Sequence, residues 1–203
     1  MSTRTPFILG LGGTGRPGSS TEQALMFSLE RAAALGAQTR ILGGEFLARL
    51  PLFDSREGPQ HPAIAELIDA IRAADGLIIA SPGYHGAMSG MIKNALDYLE
   101  TTRTDARPYL EGRPVGLIVT AAGHQAGGTT LTGLRAVVHA LRGWPTPFGA
   151  ALNTMAGAFD TAGACRDPRD AWQLATVAGQ VMEFLMARPA HSIQAVEPSA
   201  STS

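Results

Sequence analysis

The sequence predicts an α/β fold, a parallel sheet wound on both faces with helices. Two patterns predict it. Short uninterrupted apolar runs alternate with segments whose apolar residues recur at i, i+3, i+4 and i+7. The runs lack polar alternation, so each suits a strand covered on both sides. Several of them also end in Gly-containing loops, which in an open parallel sheet lie at the strands' carboxyl ends, where ligands bind.

Residues 7–11 (FILGL) follow a polar start over 1–6 and should form the first strand. A helix is expected to begin near Ser20, where a hydroxyl can cap it, with Leu25, Leu29 and Ala32 buried and Gly36 as its stop. Residues 38–42 read as a second strand, and Gly43 and Gly44 turn it into a long connection. In that connection Phe46, Leu47, Leu50, Leu52 and Phe53 should pack down. Residues 58–62 read as loop, and Pro62 suits the first turn of a helix that buries Ile64, Leu67, Ile68 and Ile71. The run 76–80 (GLIIA) is the third strand. It should stop at Ser81, Pro82 and Gly83, because Pro82 lacks a backbone donor and Gly83 allows positive φ.

Past that loop Ile92, Ala95, Leu96 and Leu99 mark one helix face. Residues 114–120 are a fourth buried strand, 121–128 a third Gly-containing loop, and Leu131, Leu134, Val138 and Leu141 the helix behind it. A fifth strand is expected over 146–152, weakened by Pro147. A loop through Asp170 then precedes a last helix with Leu174, Val177, Ala178, Val181 and Leu185 inward. The polar stretch 189–203 reads as a mobile tail, leaving 1–188 as a single domain.

Composition narrows the function. A 203-residue chain with 45% hydrophobic and 16% charged residues has the make-up of an ordinary globular domain that can bury a core. A formal net charge of −1 gives no electrostatic footprint for nucleic acid. No apolar run approaches a membrane span. The single cysteine, Cys165, excludes an intramolecular disulfide, and a reducing cytoplasm is the expected compartment.

The first loop spells G-x-G-x-x-G over Gly10, Gly12 and Gly15. In the dinucleotide fingerprint the third Gly lies in a helix already under way, whereas Pro17 and Gly18 follow here and delay the helix. A Walker A loop is excluded, because Ser19 follows Gly18 and no Lys is present. What remains is Thr14, Arg16, Gly18, Ser19, Ser20 and Thr21: hydroxyls, a guanidinium and backbone N–H groups at a helix start. That set suits a terminal phosphate dianion. The alternative is a plain strand-to-helix turn with a surface Arg.

In the second loop Pro82, Gly83, Tyr84, His85 and Gly86 read as a tight backbone approach to a flat ring, with N–H groups at its polar edge. Alternatively, Tyr84 is a core aromatic and His85 a solvated loop residue. The third loop offers Gly123, His124, Gln125, Gly127 and Gly128, or a simple surface loop. Lys93 is assigned no chemistry. His139 reads as packed in a helix, His61 and His191 as loop or tail residues, and Trp144 and Trp172 as packing or interface residues. No His/Cys/Asp cluster has metal-ligand spacing, and no G-x-S-x-G elbow is present.

Residues 81–86 (SPGYHG), then Ser89 and Gly90, then 93–97 (KNALD), resemble the signature of the NADPH-dependent FMN reductase family. That family's usual form is S-P-E-Y-N-G, a spacer, P-G and L-K-N-A-L-D-W, from which this chain departs at Gly83, His85, Ser89 and Tyr98. The first loop resembles the family's phosphate loop, G-S-L-R-x-x-S-x-N: Arg16 and Ser19 match, Thr14 replaces Ser, and Thr21 replaces Asn. The resemblance implies a flavodoxin-like, doubly wound, five-stranded parallel sheet of order 2-1-3-4-5, with ligand between the first and third strands. It implies FMN and NADPH (or NADH) as cofactors, the third loop against the flavin ring, and a homodimer or homotetramer. It also implies a small-molecule electron acceptor, and a flavin-dependent monooxygenase as a possible recipient of reduced FMN. Hydride transfer belongs to such cofactors, which accounts for a sequence with no acid–base dyad and leaves no catalytic side chain to assign. Two further readings are open: a quinone, azo-dye or metal-ion reductase with tightly held FMN, and a non-enzymatic flavodoxin-type electron carrier. The near-zero net charge speaks against the carrier, since flavodoxins tend to be strongly acidic.

Overall fold

The computed structural model describes residues 4–55 and 61–187. The expected tail over 189–203, His191 and most of the 58–62 loop lie outside the described residues.

The first strand, β1 (Phe7–Gly12), leads to helix α1 (Ser20–Ala34), then to β2 (Gln38–Leu42) and a single-turn helix α2 (Gly44–Leu47). Helix α3 (Pro62–Ala73), strand β3 (Gly76–Tyr84), the short β4 (Ala87–Met88) and helix α4 (Gly90–Asp97) follow. After a 3-10 turn over Tyr98–Thr102 come β5 (Pro114–Ala121), α5 (His124–Ala140), β6 (Trp144–Pro145), β7 (Ala150–Asn153) and α6 (Pro168–Ala187).

The strands along the main path run β2-β1-β3-β5-β6, with β7 also on β5 and β4 folded back on β3. Every pairing is parallel except β3 with β4. The doubly wound class therefore holds, with one correction to the expected five strands: the described residues form seven. The expected fifth strand over 146–152 is two pieces at opposite ends of β5. Trp144 pairs with Pro114, Ala150 pairs with Ile118, and residues 146–149 leave the ladder. Pro145 and Pro147 remove donors there, and Arg135 binds the freed Thr146 and Pro147 carbonyls at 2.8 and 2.9 Å. Treating β6 and β7 as one broken strand and setting β4 aside recovers the order 2-1-3-4-5.

The apolar runs alternate in the direction they face. Leu9, Leu11, Leu77 and Ile79 pack with α3, α4 and α5, whereas Ile8, Ile78 and Ala80 pack with α1 and α6. Each strand is thus covered on both sides, as uninterrupted runs require. Arg113, fully buried at the start of β5, ties the layers together by donating to the carbonyls of Ala74, Tyr109 and Arg72. Burial lowers its pKa to about 10, which leaves it charged at neutral pH.

Other boundaries differ from expectation. Strand β3 does not stop at Ala80 but runs on through Pro82 to Tyr84. Strand β1 ends at Gly12, opposite Ala80, so at Ser81 and Pro82 β3 pairs with β5 alone and a residue without N–H is tolerated. The loop expected over 121–128 is mostly helix, because α5 starts at His124. Helix α6 starts at Pro168, before Asp170 rather than after it. Phe46, Leu47 and Leu50 pack down as expected, but the Leu52 side chain is 86% exposed. His61 is no idle loop residue: its Nδ1 accepts from Ala63 N–H at 3.2 Å and caps α3.

Candidate functional site

Strands β1, β3 and β5 are parallel neighbours, so their carboxyl ends share one edge of the sheet. The chain moves from β1 outward to β2 and then returns to the other side as β3, which places a topological switch between β1 and β3. The first and second loops leave the sheet on either side of that switch.

In the first loop Thr14 folds back on itself: its hydroxyl accepts from Arg16 N–H and donates to the Arg16 carbonyl, both at 3.2 Å. The Thr14 backbone lies on Gly44. A side chain at Gly44 would fall on the Thr14 carbonyl oxygen, so only Gly lets the two loops meet. Arg16 is exposed, and its guanidinium has no protein partner among the described residues. Ser19 is the N-cap of α1, its hydroxyl accepting from Glu22 N–H at 3.3 Å. The Ser20 and Thr21 N–H groups belong to the first turn and have no acceptor within the helix. A side chain at Gly15 or Gly18 would meet no atom within 4 Å, so the mouth of the loop is open.

The structure separates some expected donors from this mouth. The Thr21 side chain is buried beneath it, hydrogen-bonded to the Thr120 hydroxyl of β5 at 2.6 Å. The Ser19 hydroxyl is committed to the cap, and the Gly18 N–H to the Glu22 carboxylate at 2.9 Å. Free donors that remain are the Arg16 guanidinium and first-turn N–H groups, a set that fits a phosphate dianion. Gly43 and Gly44 are read in the sequence only as a turn after the second strand, and Glu22 is assigned no role there. Ser19-x-x-Glu22 is a capping-box pattern and signals Glu22; nothing in the sequence signals the Gly44 contact.

The second loop is a hairpin. Tyr84 pairs with Ala87, and His85 and Gly86 form the turn at φ +52° and +82°. Two central residues at positive φ make the primed turn that suits twisted strands, for which Asn-Gly is the usual pair. This explains the Asn-Gly of the family pattern and why His, one of the few non-Gly residues tolerated there, can replace Asn. Tyr84 is not core; its side chain is 54% exposed at the sheet's edge. Buried Ser81 closes the base of the loop: its hydroxyl accepts from Ser89 N–H at 3.0 Å and donates to the Pro82 carbonyl at 2.9 Å. Gly83 faces α5, where a side chain would sit 3.0 Å from the Thr130 hydroxyl and 3.2 Å from Ala121 Cβ.

The rest of the signature is structural. Asn94 donates to the Pro51 carbonyl and accepts from Phe53 N–H, each at 2.8 Å, and Tyr98 donates to the same Pro51 oxygen at 3.0 Å. Tyr98 therefore keeps a donor-bearing ring where the family has Trp. Lys93 pairs with Asp97 on the surface of α4.

In the third loop Gly123 caps α5, with open space where a side chain would project, and His124 is the first helical residue. Gly128 is exposed on α5, whereas Gly127 is turned inward, 3.5 Å from Ala151 if given a Cβ. Gly127 is thus directed at β7. His139 is exposed rather than packed, and Trp144 and Trp172 lie on the surface against Phe184 and Phe148. Among the described residues no three His, Cys, Asp or Glu side chains gather as metal ligands.

The sequence profile of the NADPH-dependent FMN reductase family matches residues 6–157, from the start of β1 past the end of β7. The chain belongs to this family. Among curated relatives, the NADPH azoreductase of Bacillus sp. (strain OY1-2) is 34% identical over 91 residues, 44% of this chain and 48% of that protein. The FMN-dependent NADPH-azoreductase of Staphylococcus aureus (strain USA300) is 39% identical over 82 residues, 40% of each chain. The chain thus spans less than half the length of the curated relatives it matches. Among solved structures, FerB, a flavoenzyme NAD(P)H:(acceptor) oxidoreductase from Paracoccus denitrificans, has a TM-score of 0.74 at 21% identity, covering 90% of this chain and 98% of that one. A Streptococcus pneumoniae flavodoxin has a TM-score of 0.59 at 11% identity, covering 87% and 98%. Those likenesses establish the flavodoxin-like fold of this FMN reductase family member. Among the described residues no helix is long and apolar enough to cross a membrane.

Proposed function

We propose that this chain is an NAD(P)H-dependent flavin oxidoreductase that binds FMN along the carboxyl edge of β1, β3 and β5. The observation that carries the reading is the pairing at the topological switch of the unpartnered Arg16 loop with the Ser81–Ser89 hairpin. FMN supplies the hydride chemistry between a nicotinamide and an acceptor. The protein's own task is to hold and orient. Arg16 and the Ser20 and Thr21 N–H groups bind the phosphate, and the hairpin of Pro82, Gly83, Tyr84, His85 and Gly86 sets the height of the ring. N–H groups at Gly123 and His124 border the ring's other side and favour negative charge on it. The Thr21 and Ser19 side chains support the loop from below.

NADPH is the proposed donor, in line with the names of the curated relatives. Those same names favour an azo dye as one acceptor class, with free FMN and quinones as the others. A homodimer or homotetramer in a reducing cytoplasm completes the reading, with a flavin-dependent monooxygenase as the partner if FMN exchanges. The test is NADPH oxidation by purified protein against free FMN, a quinone and an azo dye. Turnover with at least one acceptor is expected. No oxidation of NADPH or NADH with any of them would leave an electron carrier as the better reading.

A further inference from the structure

The proposed phosphate loop contains a carboxylate. Glu22, on the third residue of α1, accepts the Gly18 N–H at 2.9 Å, and its other oxygen presses on Gly43, where a side chain would meet it at 2.5 Å. It is wedged between the β1–α1 and β2–α2 loops, and no ion pair balances it among the described residues. A phosphate dianion arriving at this loop meets one N–H donor already taken and one negative charge already in place. The only guanidinium on the loop, Arg16, lies four residues beyond the end of β1 and is bonded to neither.

We infer that Glu22 is a specificity-determining residue that weakens the hold on the flavin's phosphate and keeps FMN exchangeable. The inference rests on FMN phosphate binding at the Arg16 loop. A phosphate monoester carries about −1.5 to −2 charges near neutral pH, so one partly screened carboxylate beside it acts on phosphate and not on the ring. Glu22 therefore narrows the preference for FMN over riboflavin that Arg16 creates. It also holds the loop in shape while no phosphate is bound, through Gly18 and Gly43. A residue that both pre-shapes the loop and repels the bound anion suits a flavin that must leave.

The experiment measures FMN and riboflavin affinities of flavin-free protein by fluorescence quenching, for wild type, Glu22→Gln, Glu22→Ala and Arg16→Ala. Glu22→Gln keeps an acceptor for Gly18 and removes the charge. It is expected to bind FMN about three- to ten-fold more tightly than wild type, with riboflavin affinity unchanged. FMN dissociation, followed by transfer to an excess of a second flavin-binding protein, should slow by a similar factor. Glu22→Ala should also tighten FMN, by less if the loop loosens, and it serves if Glu22→Gln folds poorly. Unchanged or weaker FMN binding in both variants, or equal tightening of FMN and riboflavin, overturns the inference. Wild type that binds FMN and riboflavin alike, with Arg16→Ala without effect, overturns instead the placement of phosphate at this loop.

Discussion

Arg16 is the residue on which flavin affinity should depend most. Its guanidinium is exposed and unpartnered, so nothing in the folded protein loses a contact when it is removed. A charge-assisted hydrogen bond contributes roughly 1.5–3 kcal/mol, so Arg16→Ala should weaken FMN binding about ten-fold or more. The urea midpoint of the flavin-free protein should hardly move. Turnover should recover at high FMN, because the lost interaction is nearly equal in ground and transition states. A flavin titration beside a urea melt checks both statements. In the sequence Arg16 stands out as a lone cation in a Gly-rich loop after a buried strand, and its exposure at the loop is what the proposed phosphate role rests on. The Thr21 hydroxyl was misread as a phosphate donor because sequence cannot tell a hydroxyl aimed at solvent from one aimed at the sheet. Only the packing of α1 over β5, which brings Thr120 to 2.6 Å, decides it.

Two elements shape the site through glycine. At Gly44 a methyl group would strike the Thr14 carbonyl, so Gly44→Ala must push the first loop away from α2. FMN affinity should fall while the sheet survives, which titration together with far-ultraviolet circular dichroism would show. Gly86 is the second turn residue, at φ +82°, where a branched side chain is strained. Gly86→Val should reshape the hairpin and depress turnover even at saturating FMN, since small misplacements of reacting groups cost on the order of a hundred-fold. Wild-type rates in a folded Gly86→Val protein at high FMN would remove the hairpin from the ring's border. The strands and long helices were readable because uninterrupted runs and helical spacing both report burial. The ends were not. Pro82 and Gly83 suggested a stop that β5 overrides by pairing with Ser81 and Pro82. Gly123, Gly127 and Gly128 suggested a loop, although α5 begins at His124 and lays Gly127 against β7. In both places packing against a strand outweighed a local preference, which for each helical Gly is about 1 kcal/mol.

At the scale of the molecule, the alternation of strands and helices predicts the doubly wound parallel class, while the strand order came only from the family resemblance; β6 and β7 replace one strand where two prolines interrupt it. The edge beside them carries Trp144 and Trp172, 57% and 60% exposed, and the proposed homo-oligomer gives the surface a use that a monomer lacks. Light scattering of the FMN-loaded protein at micromolar concentration should give at least twice the mass of one chain. A single-chain mass would contradict the oligomer and leave the site intact. The central claim is that the carboxyl edge of β1, β3 and β5 holds FMN where a nicotinamide can reach it. Its most direct test is anaerobic mixing of the FMN-loaded protein with NADPH over a range of concentrations, followed through the visible absorbance of oxidised flavin. The account predicts that this absorbance bleaches in wild type, with a rate that rises with NADPH and collapses in Gly86→Val. Protein that binds FMN yet keeps its oxidised absorbance with both NADPH and NADH would contradict it.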